Sequence, residues 1–344
     1  MIAIISAACT FPSGPTLPLA NISQRLQFSL IRKHPQYVDQ CGSPIKACYF
    51  PEIIHATTIK RFQQLARQVL TELVEYQPHL ARIIPRRICL LLPPLDRPEI
   101  TLELATAVRN TITEIWNKSD ICILHGGAAE IVTAIEVTEA DQTNAVDILL
   151  AIDSWLPPLS LMWLEKQNLL HSSSQYFNGR PHPNPYGRIP SEGAAALALT
   201  GDTGNILPWC SILGTGEADE PTLYSTDDVC LGEGLTQAAL QALNMARVTT
   251  LHNIISDVNG EPCRADELGF TLLRLGNALN RDYQQETPVL ASGDLGCVNL
   301  LMHMALTAWR MQSLEQSGDT LLLSSSDDGQ RGAVVMSKDE GPEK

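Results

Sequence analysis

Short apolar runs separated by amphipathic stretches and by Gly- and Pro-rich turns restrict this chain more than any other feature. Residues 1–10, 87–92, 145–152, 193–200, 209–213 and 251–256 are dominated by Ile, Leu, Val and Ala. A strand that is apolar on both sides of its pleat must be covered on both faces, so the runs predict sheets sandwiched between helices. Helical spacing supplies the covers. Phe62, Leu65, Val69, Leu70, Leu73 and Val74 recur at three- and four-residue intervals within a helix predicted over 57–76. Further helices are predicted over 99–116, 128–138, 156–170, 231–245, 265–280 and 295–312. A short one is predicted around 22–31, in an otherwise irregular stretch from 15 to 55. A strand near 288–291 and a hairpin of 320–324 with 333–337, turning at Asp327-Asp328-Gly329, complete the pattern. Element order beyond residue 200 repeats the order before it. The chain therefore reads as an α/β protein of two pseudo-duplicated halves, residues 1–200 and 201–337, with a charged, disordered tail over 338–344.

Within that frame, residues 121–135 (ICILHGGAAEIVTAI) read as a buried strand, a tight Gly-Gly turn and the start of an apolar helix. Such an elbow holds one residue at a helix N-terminus, where the dipole favours developing negative charge. Enzymes place nucleophiles there. Here the apex is Gly126, Gly127, Ala128 and Ala129, none of which can attack a substrate.

Composition excludes several classes of function. A net charge of −14 argues against nucleic-acid or anionic-membrane surfaces, which need clustered Lys and Arg. The nine cysteines occur singly, without a C-x-x-C pair, which suits a reducing compartment and no disulfide framework or zinc site. No apolar run reaches the roughly 18–20 residues that span a bilayer. The apolar start lacks a basic flank, so a first strand is expected there and not a signal peptide. The expectation is a soluble cytoplasmic protein with no cofactor.

Several segments resemble the β-ketoacyl synthase branch of the thiolase fold. Residues 147–154 (DILLAIDS) resemble the strand after that family's nucleophile helix. Residues 191–199 (SEGAAALAL) are similar to its G-E-G-A-A-A-L-V-L strand, with Ser191 in place of the first glycine. Residues 292–297 (SGDLGC) resemble its G-H-T-x-G-A turn, and 323–334 its closing glycine-rich hairpin. The likeness covers roughly 120–336 and implies a five-layered αβαβα arrangement. It also implies a dimer, homo- or heteromeric, formed through the sheet edge and helix near the nucleophile segment.

Synthases of this family use one Cys and two His. Laid on Ala134-Ile135, the family's C-x-x-x-x-x-A-[IL] pattern places the nucleophile at Ala128. The H-G-T-x-T-P turn falls on 257–262, starting at Asp257, and the G-H-T turn places Asp294 where its histidine would stand. A methyl group carries no thioester, and aspartates would repel the oxyanion that neutral imidazoles stabilise. The resemblance thus implies a catalytically inactive scaffold.

The remaining residues are weighed against plain structural roles. His125 could be a displaced base but is expected to pack under the elbow; Cys122 and Cys297 read as small core residues. Asp257, Asn259, Glu261, Arg264, Asp266, Glu267 and Asp294 form a polar set around the site that could bind a cation or a basic peptide, although turn and cap roles account for most of its acids. His182 lacks a second ligand at metal spacing, and residues 324–326 (SSS) sit in no Ser-His-Asp pattern. Residues 257–270 match D-x-N-G-E-x-x-R-x-x-E, a pattern that resembles thiolase-like proteins encoded beside bacterial type VI secretion effectors. That resemblance implies an accessory or adaptor protein for an effector. The alternative it leaves open is a chain-length-factor-like, non-catalytic subunit of a heterodimeric ketosynthase.

Overall fold

The computed structural model describes residues 1–139, 145–172, 184–204, 206–223 and 229–338. His182 and all but the first residue of the predicted tail lie outside the described residues. The first half runs β1 (Ile2–Thr10), α1 (Leu17–Arg25), β2 (Arg32–Val38), β3 (Pro44–Ala47), α2 (Thr58–Tyr76) and β4 (Arg87–Leu92). It continues with α3 (Leu102–Ile115), β5 (Asp120–His125), α4 (Glu130–Glu139), β6 (Val146–Ser154), α5 (Pro158–Lys166) and β7 (Glu192–Thr200). The second half runs β8 (Cys210–Asp219), α6 (Glu233–Ala246), β9 (Leu251–Ser256), α7 (Pro262–Arg274) and β10 (Leu279–Glu286). It closes with α8 (Val289–Ser292), α9 (Asn299–Gln312), β11 (Thr320–Ser325) and β12 (Gln330–Ser337).

Strand order makes the duplication explicit. The main sheet reads β10-β9-β11-β12-β8-β1-β7-β6-β4-β5. Folding that row at its centre matches β8 with β1, β12 with β7, β11 with β6, β9 with β4 and β10 with β5. Directions match as well: β4 runs parallel to β5 and β6, as β9 does to β10 and β11, while β7 and β12 are antiparallel to their neighbours. The two five-stranded units meet where β1 pairs β8, with Ile2 opposite Ile212 and Ile4 opposite Cys210.

Alternation along the strands builds the layers. Ile88, Leu90 and Leu92 of β4 join Ala194, Ala196 and Ala198 of β7 under α2 and α3. The alternate residues Cys89, Leu91, Ala195, Leu197 and Leu199 face a central core with α4 and α9. On the far side, Leu321, Leu323, Ala333 and Val335 pack against α6 and α7. A two-residue side-chain period with both faces buried produces the continuous apolar runs, and the five αβαβα layers follow. Threonine hydroxyls start two of the outer helices: Thr57 accepts the Lys60 amide at 3.4 Å and Thr101 the Leu104 amide at 3.1 Å.

Four local expectations are corrected. The early helix spans Leu17–Arg25, with Pro18 in its first turn, so it starts and stops earlier than the predicted 22–31 and shares only residues 22–25 with it. Beyond it, β2 and β3 form a separate two-stranded ribbon in the stretch read as irregular. Prolines 35 and 44 mask that ribbon in the sequence, and a two-stranded ribbon tolerates them because each strand has a free edge. The helix expected to run to residue 280 stops at Arg274, and the polar segment after it is the edge strand β10. Residues 288–291 then lie in and before the short helix α8, not in a strand.

A cavity at the N-termini of the two inner helices

The turns preceding α4 and α9 open into one cavity of about 300 Å³. Ala128 reaches it from the elbow after β5, Asp257 from the end of β9, and Asp294 from the turn before α9. The three positions assigned to the family's chemistry are therefore adjacent in space. His125, Arg264 and Cys297 also line the cavity.

The elbow is packed and not merely turned. A Cβ on Gly127 would stand 2.2 Å from the Ser326 hydroxyl, so only glycine fits. The same hydroxyl accepts the Ala129 amide at 3.1 Å and engages the first turn of α4. Ala128 is buried and presents only a methyl group.

Asp257 and Asp294 are both held in ion pairs. Arg188 is fully buried and reaches Glu261 at 2.9 Å, Asp327 at 2.9 Å and Asp294 at 3.6 Å. Arg264 reaches Asp327 at 2.9 Å, Glu261 at 3.1 Å and Asp257 at 3.5 Å. Asn259 bridges the cluster, donating to Glu261 at 3.1 Å and to Asp294 at 3.0 Å. Burial works against ionisation of Asp294, yet Arg188 and Arg264 outweigh it and hold the carboxyl below its ordinary range. At Asp257 burial prevails over the neighbouring Arg264, and the carboxyl is pushed up. It accepts the Ser324 hydroxyl at 2.7 Å and the Ser325 amide at 3.0 Å.

The opposite wall comes from the first half. Arg97 pairs with Asp153 through two hydrogen bonds, both side chains buried, and lies 4.1 Å over the Trp155 ring. Arg188 approaches the same ring at 5.6 Å. Asp153 also accepts the Cys297 amide at 3.0 Å. The Cys297 thiol donates to the Ile152 carbonyl at 3.6 Å, and burial pushes its pKa well up. It behaves as a core thiol that touches the cavity. His125 is half-buried, its Nδ1 3.0 Å from the Pro93 carbonyl, an acceptor that makes this nitrogen the donor.

Other predicted site residues separate from this centre. Asn259 and Glu261 stand behind the lining as supports of the ion network. Glu267 turns away to Ser325 at 2.7 Å and to Arg331. Asp266 is exposed beside a different depression, and Cys122 packs against the central core from β5. Arg188, Asp327, Arg97, Asp153 and Trp155 are the site residues the sequence did not single out. For the four charged residues the only signal was charge inside otherwise apolar or turn-rich segments, and Trp155 gave none.

No protein-family model matches the chain, and no curated protein matches it in sequence. Solved structures match throughout its length. AntDE:AntF, a type II PKS acyl-carrier protein in complex with its ketosynthase, superposes with a TM-score of 0.77 at 12% identity, covering 98% of this chain and 99% of that one. The fold is that of the thiolase-like ketosynthases. A ketosynthase from module 6 of the bacillaene synthase of Bacillus subtilis 168 gives 0.75 at 11% identity, covering 99% of this chain and 72% of that one. The ishigamide ketosynthase/chain length factor gives 0.69 at 14% identity, covering 97% and 98%. Among the described residues, no helix of the chain is long and apolar enough to cross a membrane.

Proposed function

We propose that this protein is a non-catalytic, chain-length-factor-like partner that pairs with a second thiolase-fold chain in the cytoplasm. The observation that carries the reading is the state of the cavity. A methyl group stands at the N-terminus of α4, and carboxylates locked to Arg188 and Arg264 stand at the two other positions. A site built this way shapes and supports; it offers no activated nucleophile at its apex. Likeness to solved ketosynthase/chain length factor structures supports the same role. The partner would engage β5, which is an edge strand with Ile121–Leu124 apolar and, among the described residues, one neighbour in the sheet.

A second reading, an accessory protein for a type VI secretion effector, is favoured by one observation. Asp257, Asn259, Glu261 and Arg264 of the D-x-N-G-E-x-x-R-x-x-E pattern act together in the ion network, which gives the pattern a shared structural role.

Incubation with acyl and malonyl thioesters, followed by intact-mass spectrometry, tests inactivity; an adduct of acyl mass defeats both readings. Affinity capture from the native host separates them. A ketosynthase or acyl carrier protein among the captured chains supports the subunit, and a secretion effector or spike protein supports the adaptor.

A further inference from the structure

Away from the central cavity, three segments bring Glu220, Cys230 and Glu267 together. One ligating atom from each lies within 4.8 Å of the other two. Glu220 follows β8, Cys230 precedes α6, and Glu267 lies on α7. Gly232 permits the approach: its φ is +63°, and a Cβ there would stand 2.6 Å from the Glu267 carbonyl oxygen.

Hydrogen bonding leaves this group incomplete. Oε2 of Glu220 accepts the Gly234 amide at 2.8 Å. Oε1 is shielded from solvent, on a residue only 4% exposed, and has no hydrogen-bond partner among the described residues. Buried carboxylate oxygens are almost always satisfied, so a bare one points to a missing ligand. Glu267 is oriented by Ser325 and Arg331 but keeps lone pairs to spare, since a carboxylate offers about four. Charge points the same way. Arg331 pairs with Glu267, so Glu220 and a Cys230 thiolate add two negative charges beside that pair, which a divalent cation would cancel.

We propose that Glu220, Cys230 and Glu267 bind a divalent transition-metal ion, with water completing the coordination. One sulfur and two carboxylates suit zinc best, because magnesium and calcium prefer all-oxygen sets. The ion would fasten the segments on either side of the β8–α6 connection to α7. Through Ser325, whose amide also meets Asp257, it would brace one border of the central cavity. Nothing in the spacing of these residues announces the site, because they come from three separated segments.

Cobalt(II) added to the metal-free full-length protein is the probe. A thiolate-bound cobalt ion produces an intense near-ultraviolet charge-transfer absorption that oxygen ligands alone do not. The expected result is a band that saturates near one equivalent and is bleached by zinc. It should vanish in Cys230→Ser, and cobalt affinity should fall at least about tenfold in Glu220→Gln. Absence of the band from the unaltered protein, or its persistence in Cys230→Ser, overturns the proposal. If Glu220→Gln yields no folded protein, the Cys230→Ser spectrum decides alone.

Discussion

The Ser326 hydroxyl accepts the Ala129 amide at 3.1 Å, joining the tip of the β11–β12 hairpin to the first turn of α4. Gly127 lies under the same side chain, where an added Cβ would meet Ser326 Oγ at 2.2 Å and Cβ at 2.4 Å. Gly127→Ala should therefore destabilise the protein by about 1–3 kcal/mol through overpacking. Ser326→Ala should not relieve the clash, because its Cβ remains. Ser326→Gly should, since only Cα at 3.2 Å is then left. A double-mutant cycle by urea denaturation checks this, with a favourable coupling expected for Gly127→Ala and Ser326→Gly alone.

Arg188 holds three carboxylates from inside the protein, so its removal should be severe. Arg188→Met leaves Glu261, Asp294 and Asp327 facing one another with only Arg264 to offset them. Breaking a buried ionic cluster on one side costs about 3–5 kcal/mol, mostly as uncompensated charge. The exposed pair Arg67–Glu114 is the control, and Arg67→Ala should change stability by no more than about 0.5 kcal/mol. Chemical denaturation of the two variants should separate them clearly.

That contrast also marks what was readable in the chain. The layers were legible because period-two burial writes itself into β4, β6 and β7 as unbroken apolar runs, and helical spacing writes α2. The resemblance singled out Ala128, Asp257 and Asp294, and all three line one cavity. β10 was hidden because an edge strand such as LNRDYQQE buries little and carries no apolar alternation. Arg188 was hidden for a different reason. A lone arginine between Gly187 and Ile189 carries no local sign that acids more than seventy residues away, at 261, 294 and 327, will enclose it. Long-range charge pairing has no period, so the pairing of Asp257 with Arg264 and of Asp294 with Arg188 left no sign in the sequence.

Stability should fall between pH 5 and 7 because of Glu72. Burial pushes its carboxyl up to about 7 from an ordinary 4.5, against the hydrogen bond it accepts from the Leu17 amide at 2.6 Å. Between those values the folded protein keeps a proton that the unfolded chain has released, so unfolding becomes easier as pH rises. Glu72's contribution is full below about 4.5 and lost above about 7. Glu72→Gln, which can still accept the Leu17 amide, should show no such loss. The difference between wild type and variant in urea midpoints at pH 5, 6, 7 and 8 isolates the effect; a difference that does not change with pH would contradict it.

Restoring sulfur to the elbow should not restore synthase chemistry. Ala128→Cys places a thiol at the N-terminus of α4, where the helix dipole lowers its pKa and makes it more reactive than the buried Cys297. Rapid, selective alkylation by iodoacetamide is expected at the new thiol. Condensation is not, because the resemblance puts Asp257 and Asp294 where both imidazoles would stand, and His125 already commits Nδ1 to the Pro93 carbonyl. Adding Asp257→His and Asp294→His would not rescue the reaction cheaply. Those changes remove carboxylate partners of Arg264 and Arg188, leaving the guanidiniums less well compensated inside the protein. The triple variant should therefore lose several kcal/mol of stability before any turnover appears. Radiolabelled malonyl thioester turnover by Ala128→Cys alone would show that another group supplies the base and that the assignment of these positions is wrong.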